Sequence, residues 1–132
     1  MSMTPAETTR TFYELFAAGR VEELLERFVT ARSQLDNPLP AAVPFGGQYT
    51  GPQGFLAYFQ QIVAAIEIEQ FVIDEVLADA DRVVVLGRET SRSLKTGKRY
   101  SMSWVHTLTV RDGRVVHLHE YNDTAAMAAA FA

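Results

Sequence analysis

The sequence predicts a single cone-shaped α+β domain. Three N-terminal helices pack into a curved mixed or antiparallel sheet that encloses a pocket. Apolar residues recur at spacings of three and four through the first half of the chain. After Glu67 the period changes to two, and short turn segments punctuate the second half at regular intervals. Helices first, followed by strands in consecutive hairpins, define an α+β rather than a parallel α/β arrangement.

The first helix starts at Thr4-Pro5-Ala6-Glu7, a capping box with proline at the first helical position. Phe12, Leu15 and Phe16 form its apolar stripe, and Gly19 suits its C-terminal stop. In the second helix Val21, Leu24, Leu25 and Phe28 face inward, with Glu22, Glu23 and Glu26 turned to water. Ser33 to Asn37 reads as extended chain ended by Pro38 and Pro40, and Leu39 to Gly51 reads as loop. Gly51-Pro52 opens the third helix, whose apolar positions are Phe55, Leu56, Phe59, Ile62, Val63 and Ile66. Strands follow at about 69–78, 82–94, 99–110 and 114–122. They are separated by turns at Asp79-Ala80-Asp81, Lys95-Thr96-Gly97-Lys98 and Arg111-Asp112-Gly113. A short helix, Thr124–Phe131, closes the chain with Asp123 as its N-cap.

Composition excludes several classes of function. The 132 residues make one domain by size, and no repeat or linker divides them. There is no cysteine, which removes a thiol nucleophile, a zinc–thiolate centre and an iron–sulfur cluster. The formal net charge is −4 with no Lys/Arg run, so no nucleic-acid partner is expected. The segment MSMTPAETTR lacks the features of a signal peptide, and no stretch approaches the ~20 apolar residues of a membrane span. No membrane partner and a cytoplasmic location are therefore expected.

The last two strands identify the inner face. Trp104, His106, Leu108 and Val110 alternate with Val105, Thr107 and Thr109, and Val116, Leu118, Glu120 and Asn122 alternate with Val115, His117, His119 and Tyr121. The even-numbered sets are the apolar ones and are placed inside. A type I turn with Gly113 left-handed, pairing Val110 with Arg114, would bring those sets onto one face. A two-residue turn on Asp112-Gly113 would oppose them. The hydrophobic pattern favours the first register. It sets His106 and Glu120 on an apolar inner surface, where each needs a partner or a wet cavity.

The element order, the Gly-Gly-Gln-Tyr-Thr-Gly stretch at 46–51 and the ending Val-Arg-Asp-Gly-Arg-Val-Val-His-Leu-His-Glu-Tyr-Asn-Asp-Thr at 110–124 resemble the SnoaL-like proteins of the NTF2-like superfamily. That superfamily includes ketosteroid isomerases and limonene-epoxide hydrolases, and the resemblance covers nearly the whole chain. Where ketosteroid isomerases carry a base Asp before a Pro, this chain has Asn37 before Pro38, with Asp36 one residue earlier on the opposite face. Their oxyanion-hole Tyr corresponds to Phe12 and their protonated Asp to His106, so isomerisation by that mechanism is not expected. The Arg-x-Asp pair of the epoxide hydrolases is missing near Trp104 and His106. The polyketide cyclase branch is similar in placing a His on the penultimate strand and an acidic residue on the last. His106 and Glu120 match, with Glu in place of Asp.

These readings make His106 and Glu120 the candidate catalytic pair. Glu120 would abstract a proton next to a carbonyl, and His106 would donate to the developing oxyanion. Phe12, Asn37, Tyr49, Phe59, Met102, Trp104, Leu118 and Asn122 are the candidate ligand-binding residues. Tyr13 is read as lining the pocket rim or as packing, with packing the favoured reading. The expected partner is a small, largely apolar, carbonyl-bearing molecule, with no cofactor. The competing class is a non-catalytic binding or dimerisation module. His117-x-His119 has a spacing that some metal sites use, but no carboxylate is identified to complete it, so no metal is expected. A homodimer is expected through the outer sheet face, with Val105, Thr107, Thr109, Val115 and Tyr121 at its surface.

Overall fold

The computed structural model describes residues 3–132. Helix α1 (Pro5–Ala17) begins with the capping box: the Glu7 backbone N–H donates to Thr4 Oγ1 (3.1 Å), and the Thr4 N–H donates to Glu7 Oε1 (2.8 Å). Helix α2 (Val21–Phe28) leads directly into strand β1 (Val29–Asn37). A short strand, β2 (Gly47–Thr50), then precedes α3 (Gly51–Ala65). Strands β3 (Ile66–Asp79), β4 (Arg82–Ser93), β5 (Arg99–Arg111) and β6 (Arg114–Tyr121) form a meander, and α4 (Thr124–Phe131) closes the chain with Asp123 capping Ala126 N–H.

All six strands join one mixed sheet in the order β2-β1-β6-β5-β4-β3, in which only the β1–β6 pair is parallel. This sheet curls around α1 and α3. Register shifts in β3 between Ile68 and Gln70 and between Ile73 and Glu75 each insert one extra residue, which bends a strand. The core includes Phe12, Leu24, Leu35, Phe55, Val83, Val85, Trp104, Leu108 and Val115.

Several expectations need correction. The segment read as loop up to Gly51 contains β2, which is an edge strand held only by β1. On α3 the buried stripe runs through Phe55, Tyr58, Phe59 and Ile62, whereas Val63 is exposed. The β5–β6 hairpin uses the two-residue turn: Arg111 pairs with Arg114, and Asp112 and Gly113 both have positive φ (52° and 72°). Both φ signs are those of a type I′ turn. The even-numbered faces still coincide, because a bulge at Val116 lets Val110 pair with Val115 and Thr109 with His117. Val115 is therefore fully buried and absent from the outer face, while Val116 is only half-buried.

Gly87 has a specific packing role. It lies opposite Trp104 across the β4–β5 ladder, and the indole lies over it. A β-carbon there would sit 2.2 Å from Trp104 Cζ2 and 2.5 Å from the Val72 carbonyl oxygen. Only glycine admits this placement of the indole, which then stacks on His106 with ring centres 4.1 Å apart.

Candidate functional site

Between α1, α3 and the inner sheet face lies a cavity that opens to solvent. Each lining element contributes through its own period. Alternation on β5 points Met102 and His106 inward, and alternation on β6 points Leu118 and Glu120 inward. On β4 the inward set is Val83, Val85, Gly87 and then Glu89. Phe12, Tyr13 and Phe16 come from α1, and Tyr58, Phe59 and Ile62 from α3. Phe45 and Phe71 add aromatic wall.

A continuous hydrogen-bonded chain crosses this apolar space. Tyr13 Oη lies 2.6 Å from His106 Nδ1, and His106 Nε2 lies 3.2 Å from Glu120 Oε1. The Tyr58 hydroxyl donates to Glu120 Oε2 at 2.7 Å and accepts from Asn37 Nδ2 at 3.0 Å. Asn37 Nδ2 also approaches Glu120 Oε1 (3.3 Å), and Asn122 Nδ2 donates to Asn37 Oδ1 at 3.1 Å. His106, Glu120, Asn37, Tyr13 and Tyr58 are all buried. If Nε2 carries the proton toward Glu120, Nδ1 accepts from Tyr13; if the ring is cationic, it donates at both ends.

The electrostatics separate the two carboxylates of the cavity. Burial pushes Glu120 up, but the neighbouring His106 charge and hydrogen bonds from His106, Tyr58 and Asn122 outweigh it, holding Glu120 below the ordinary glutamate value. Glu89 is raised: burial dominates over the bonds it accepts from Ser91 (2.7 Å) and Tyr100 (3.0 Å). Both of those bonds fall on Oε2. Burial and the Glu120 charge push the Tyr13 and Tyr58 phenols well above their ordinary range, so both stay neutral.

The structure brings eight of the ten sequence-identified residues to the cavity: His106, Glu120, Phe12, Asn37, Phe59, Met102, Leu118 and Asn122. Tyr49 lies behind Tyr58, with its hydroxyl directed to the Phe45 and Gly46 carbonyls and to Gln61 Oε1. Trp104 lies behind the lining, stacked between His106 and Phe71. Three polar groups were missed. Tyr13, for which the sequence favours packing over the pocket rim, is the α1 residue that joins the hydrogen-bonded chain, one position after Phe12. Tyr58 falls on the Phe55–Phe59–Ile62 stripe, so a hydroxyl on an apolar helix face was the available signal. Glu89 continues the inward alternation of Val83, Val85 and Gly87 in the same way.

On the outer sheet face a second cluster corrects another expectation. Asp36 does lie opposite Asn37 in orientation, yet that places it against His117 (2.6 Å to Nε2) and His119 (3.9 Å to Nδ1). A carboxylate therefore does accompany the His-x-His pair. The parallel pairing of β1 with β6, which sets Asp36 beside His119, brings it there.

The model of the SnoaL-like domain family matches residues 9–118. The chain belongs to this family. Its fold is shared with an NTF2-like protein from Burkholderia xenovorans LB400, at 26% identity over 97% of this chain and 95% of that one, with a TM-score of 0.88. TerC, crystallised with polyporic acid, is 22% identical over 97% and 98% of the two chains, with a TM-score of 0.82. A Mesorhizobium loti protein provisionally assigned as a SnoaL-like polyketide cyclase is 19% identical over 90% and 99%, with a TM-score of 0.74. Among curated protein sequences, none matches the chain. No helix among the described residues is long and apolar enough to cross a membrane.

Proposed function

We propose that this SnoaL-like protein binds a small, largely apolar, carbonyl-bearing molecule in the cavity and moves a proton on it, as isomerases and cyclases do. The observation that carries this reading is the buried Tyr13–His106–Glu120 chain in a cavity walled largely by aromatic and aliphatic side chains. Flat apolar ligands suit such walls, and the few polar groups fix their orientation. TerC, which shares the fold, was co-crystallised with polyporic acid.

The roles divide by what each atom already holds. Both His106 nitrogens and both Glu120 oxygens have partners, so this pair reaches the ligand through Tyr13. With His106 cationic and paired to Glu120, the Tyr13 oxygen accepts from Nδ1 and its own proton turns to the ligand carbonyl. Charge developing on that oxygen is then stabilised through the imidazolium. Glu89, with its raised pKa and Oε1 unbonded by described residues, is the better proton acceptor, because a base works best when its pKa nears the working pH. The expected homodimer would form through the outer face around Val105, Thr107 and Tyr121.

A non-catalytic binding module is the second reading. It is favoured by the depressed pKa of Glu120, which suits a fixed charge better than a base. One experiment addresses both. The single tryptophan stacks on His106, so its fluorescence should respond to ligands. A panel of keto-bearing polycyclic aromatics should quench it saturably, and Tyr13→Phe should weaken that binding at least tenfold. Binders should then exchange the hydrogen next to their carbonyl with deuterium from solvent, followed by NMR, and Glu89→Gln should slow this by ~10²–10⁴. Binding without exchange selects the non-catalytic reading. Binding indifferent to Tyr13→Phe refutes the carbonyl contact.

A further inference from the structure

The Asp36–His117–His119 cluster lies on the sheet face opposite the cavity, and neither the proton-transfer chain nor the ligand pocket uses it. Its three side chains come from two adjacent strands. His117 and His119 are two apart on β6 and so project from the same face. Asp36 stands directly beside His119 in the parallel β1–β6 ladder. One donor atom from each of the three residues can be chosen so that all lie within 4.8 Å of one another. Asp36 Oδ2 is 2.6 Å from His117 Nε2 and 3.9 Å from His119 Nδ1. A tetrahedral ion with bonds of ~2.0–2.2 Å needs its donors ~3.3–3.6 Å apart. Of these two separations, the shorter must open by about 0.7–1.0 Å and the longer must close by about 0.3–0.6 Å.

Three further features fit a metal centre. Gln34 Nε2 donates to Asp36 Oδ1 at 3.0 Å, occupying one carboxylate oxygen and turning the other toward the histidines. Outer-shell bonds of this kind orient ligating carboxylates. In the single chain the His117 and His119 side chains are 42% and 28% exposed, which leaves both imidazoles open to an ion before any outer-face pairing of two copies. The Tyr121 ring stacks on His119, 4.4 Å between centres, and limits its ring orientation. Two imidazoles and one carboxylate form a borderline donor set that suits zinc and later first-row ions over calcium or magnesium.

The structure assigns Asp36, His117 and His119 as a three-ligand site for a divalent zinc-class ion on the outer face of the sheet. The test is titration of the EDTA-stripped 132-residue chain at pH 7.5 with zinc chloride, read by calorimetry and by competition with a chromogenic chelator. The expected result is one ion per chain with a dissociation constant below 10 µM. His119→Ala and Asp36→Asn should each weaken binding at least tenfold while circular dichroism remains that of the folded protein. Asp36→Asn preserves shape and serves if the alanine variant does not fold. Binding absent at 100 µM zinc, or a one-to-one site that survives both substitutions, overturns the assignment. The zinc-edge anomalous signal of a soaked crystal should fall among these three side chains, and a peak elsewhere overturns it equally.

Discussion

Replacing Glu120 by Gln is the most informative single perturbation of the cavity. The carboxylate accepts from Tyr58 on Oε2 and from His106 and Asn37 on Oε1. Glutamine keeps the shape but turns one acceptor into a donor. If its amide nitrogen takes the Oε2 place, it meets the Tyr58 hydroxyl, whose proton then has nowhere to go. If it takes the Oε1 place, His106 can change tautomer, but Asn37 Nδ2 faces another donor. Asn37 cannot flip without losing its bond from Asn122. Either way one buried donor loses its partner, which costs about 1–3 kcal/mol. For a domain of this size each kcal/mol moves Tm by about 3–5 °C, so a fall of about 3–15 °C is expected. The pH dependence gives a second readout. A carboxylate depressed in the folded state contributes stability that is complete above its ordinary value, 4.5, and is lost as pH falls through the lower folded value. Urea unfolding of both proteins from pH 7 to pH 3 should therefore show the largest gap at neutral pH, narrowing below 4.5. Other depressed carboxylates titrate alike in both proteins and cancel in the difference. A gap under 0.5 kcal/mol at pH 7 would refute the network as drawn.

The other carboxylate should respond with opposite sign. Glu89 is raised, so its contribution improves as pH falls through its folded value toward 4.5, and Glu89→Gln should match or exceed the parent in stability at pH 7.5. Loss of more than 1 kcal/mol there would contradict the assigned direction. Gly87→Ala should destabilise by roughly 1–3 kcal/mol or more through overpacking. It should also shift the fluorescence of the lone tryptophan, since the added carbon would meet the indole and the Val72 carbonyl; an unchanged spectrum and Tm would show that the contact is easily relieved. Light scattering at micromolar concentration should give a mass near twice 14.7 kDa, and a monomer mass would remove the outer-face dimer.

The parts of this fold that were legible in the sequence are those governed by local rules. Capping at Thr4 and Asp123, helical stripes, the switch to period two and the hairpin turns all act within a few residues, and their physics is visible in order along the chain. The correct inner face of β6 was reached through the wrong turn. Apolar alternation demanded that Leu108 and Leu118 share a face, and the chain meets that demand with a type I′ turn plus a bulge at Val116 rather than with the longer turn. Burial fixed the outcome, while two local geometries could deliver it. The β1–β6 pairing joins segments about 80 residues apart in parallel, and no local pattern announces it. Two consequences therefore stayed hidden. Asn37 meets Glu120 and Tyr58 on one face of β1, and Asp36 meets His117 and His119 on the other. The same alternation at a single strand thus serves both the cavity and the outer cluster. A one-residue slip of β1 would exchange the two, burying Asp36 beside Glu120 and leaving Asn37 beside the histidines. Two carboxylates without an intervening donor are unfavourable inside an apolar cavity. The order Asp-Asn at 36–37 therefore specifies the register of β1 as well as the chemistry of its two faces.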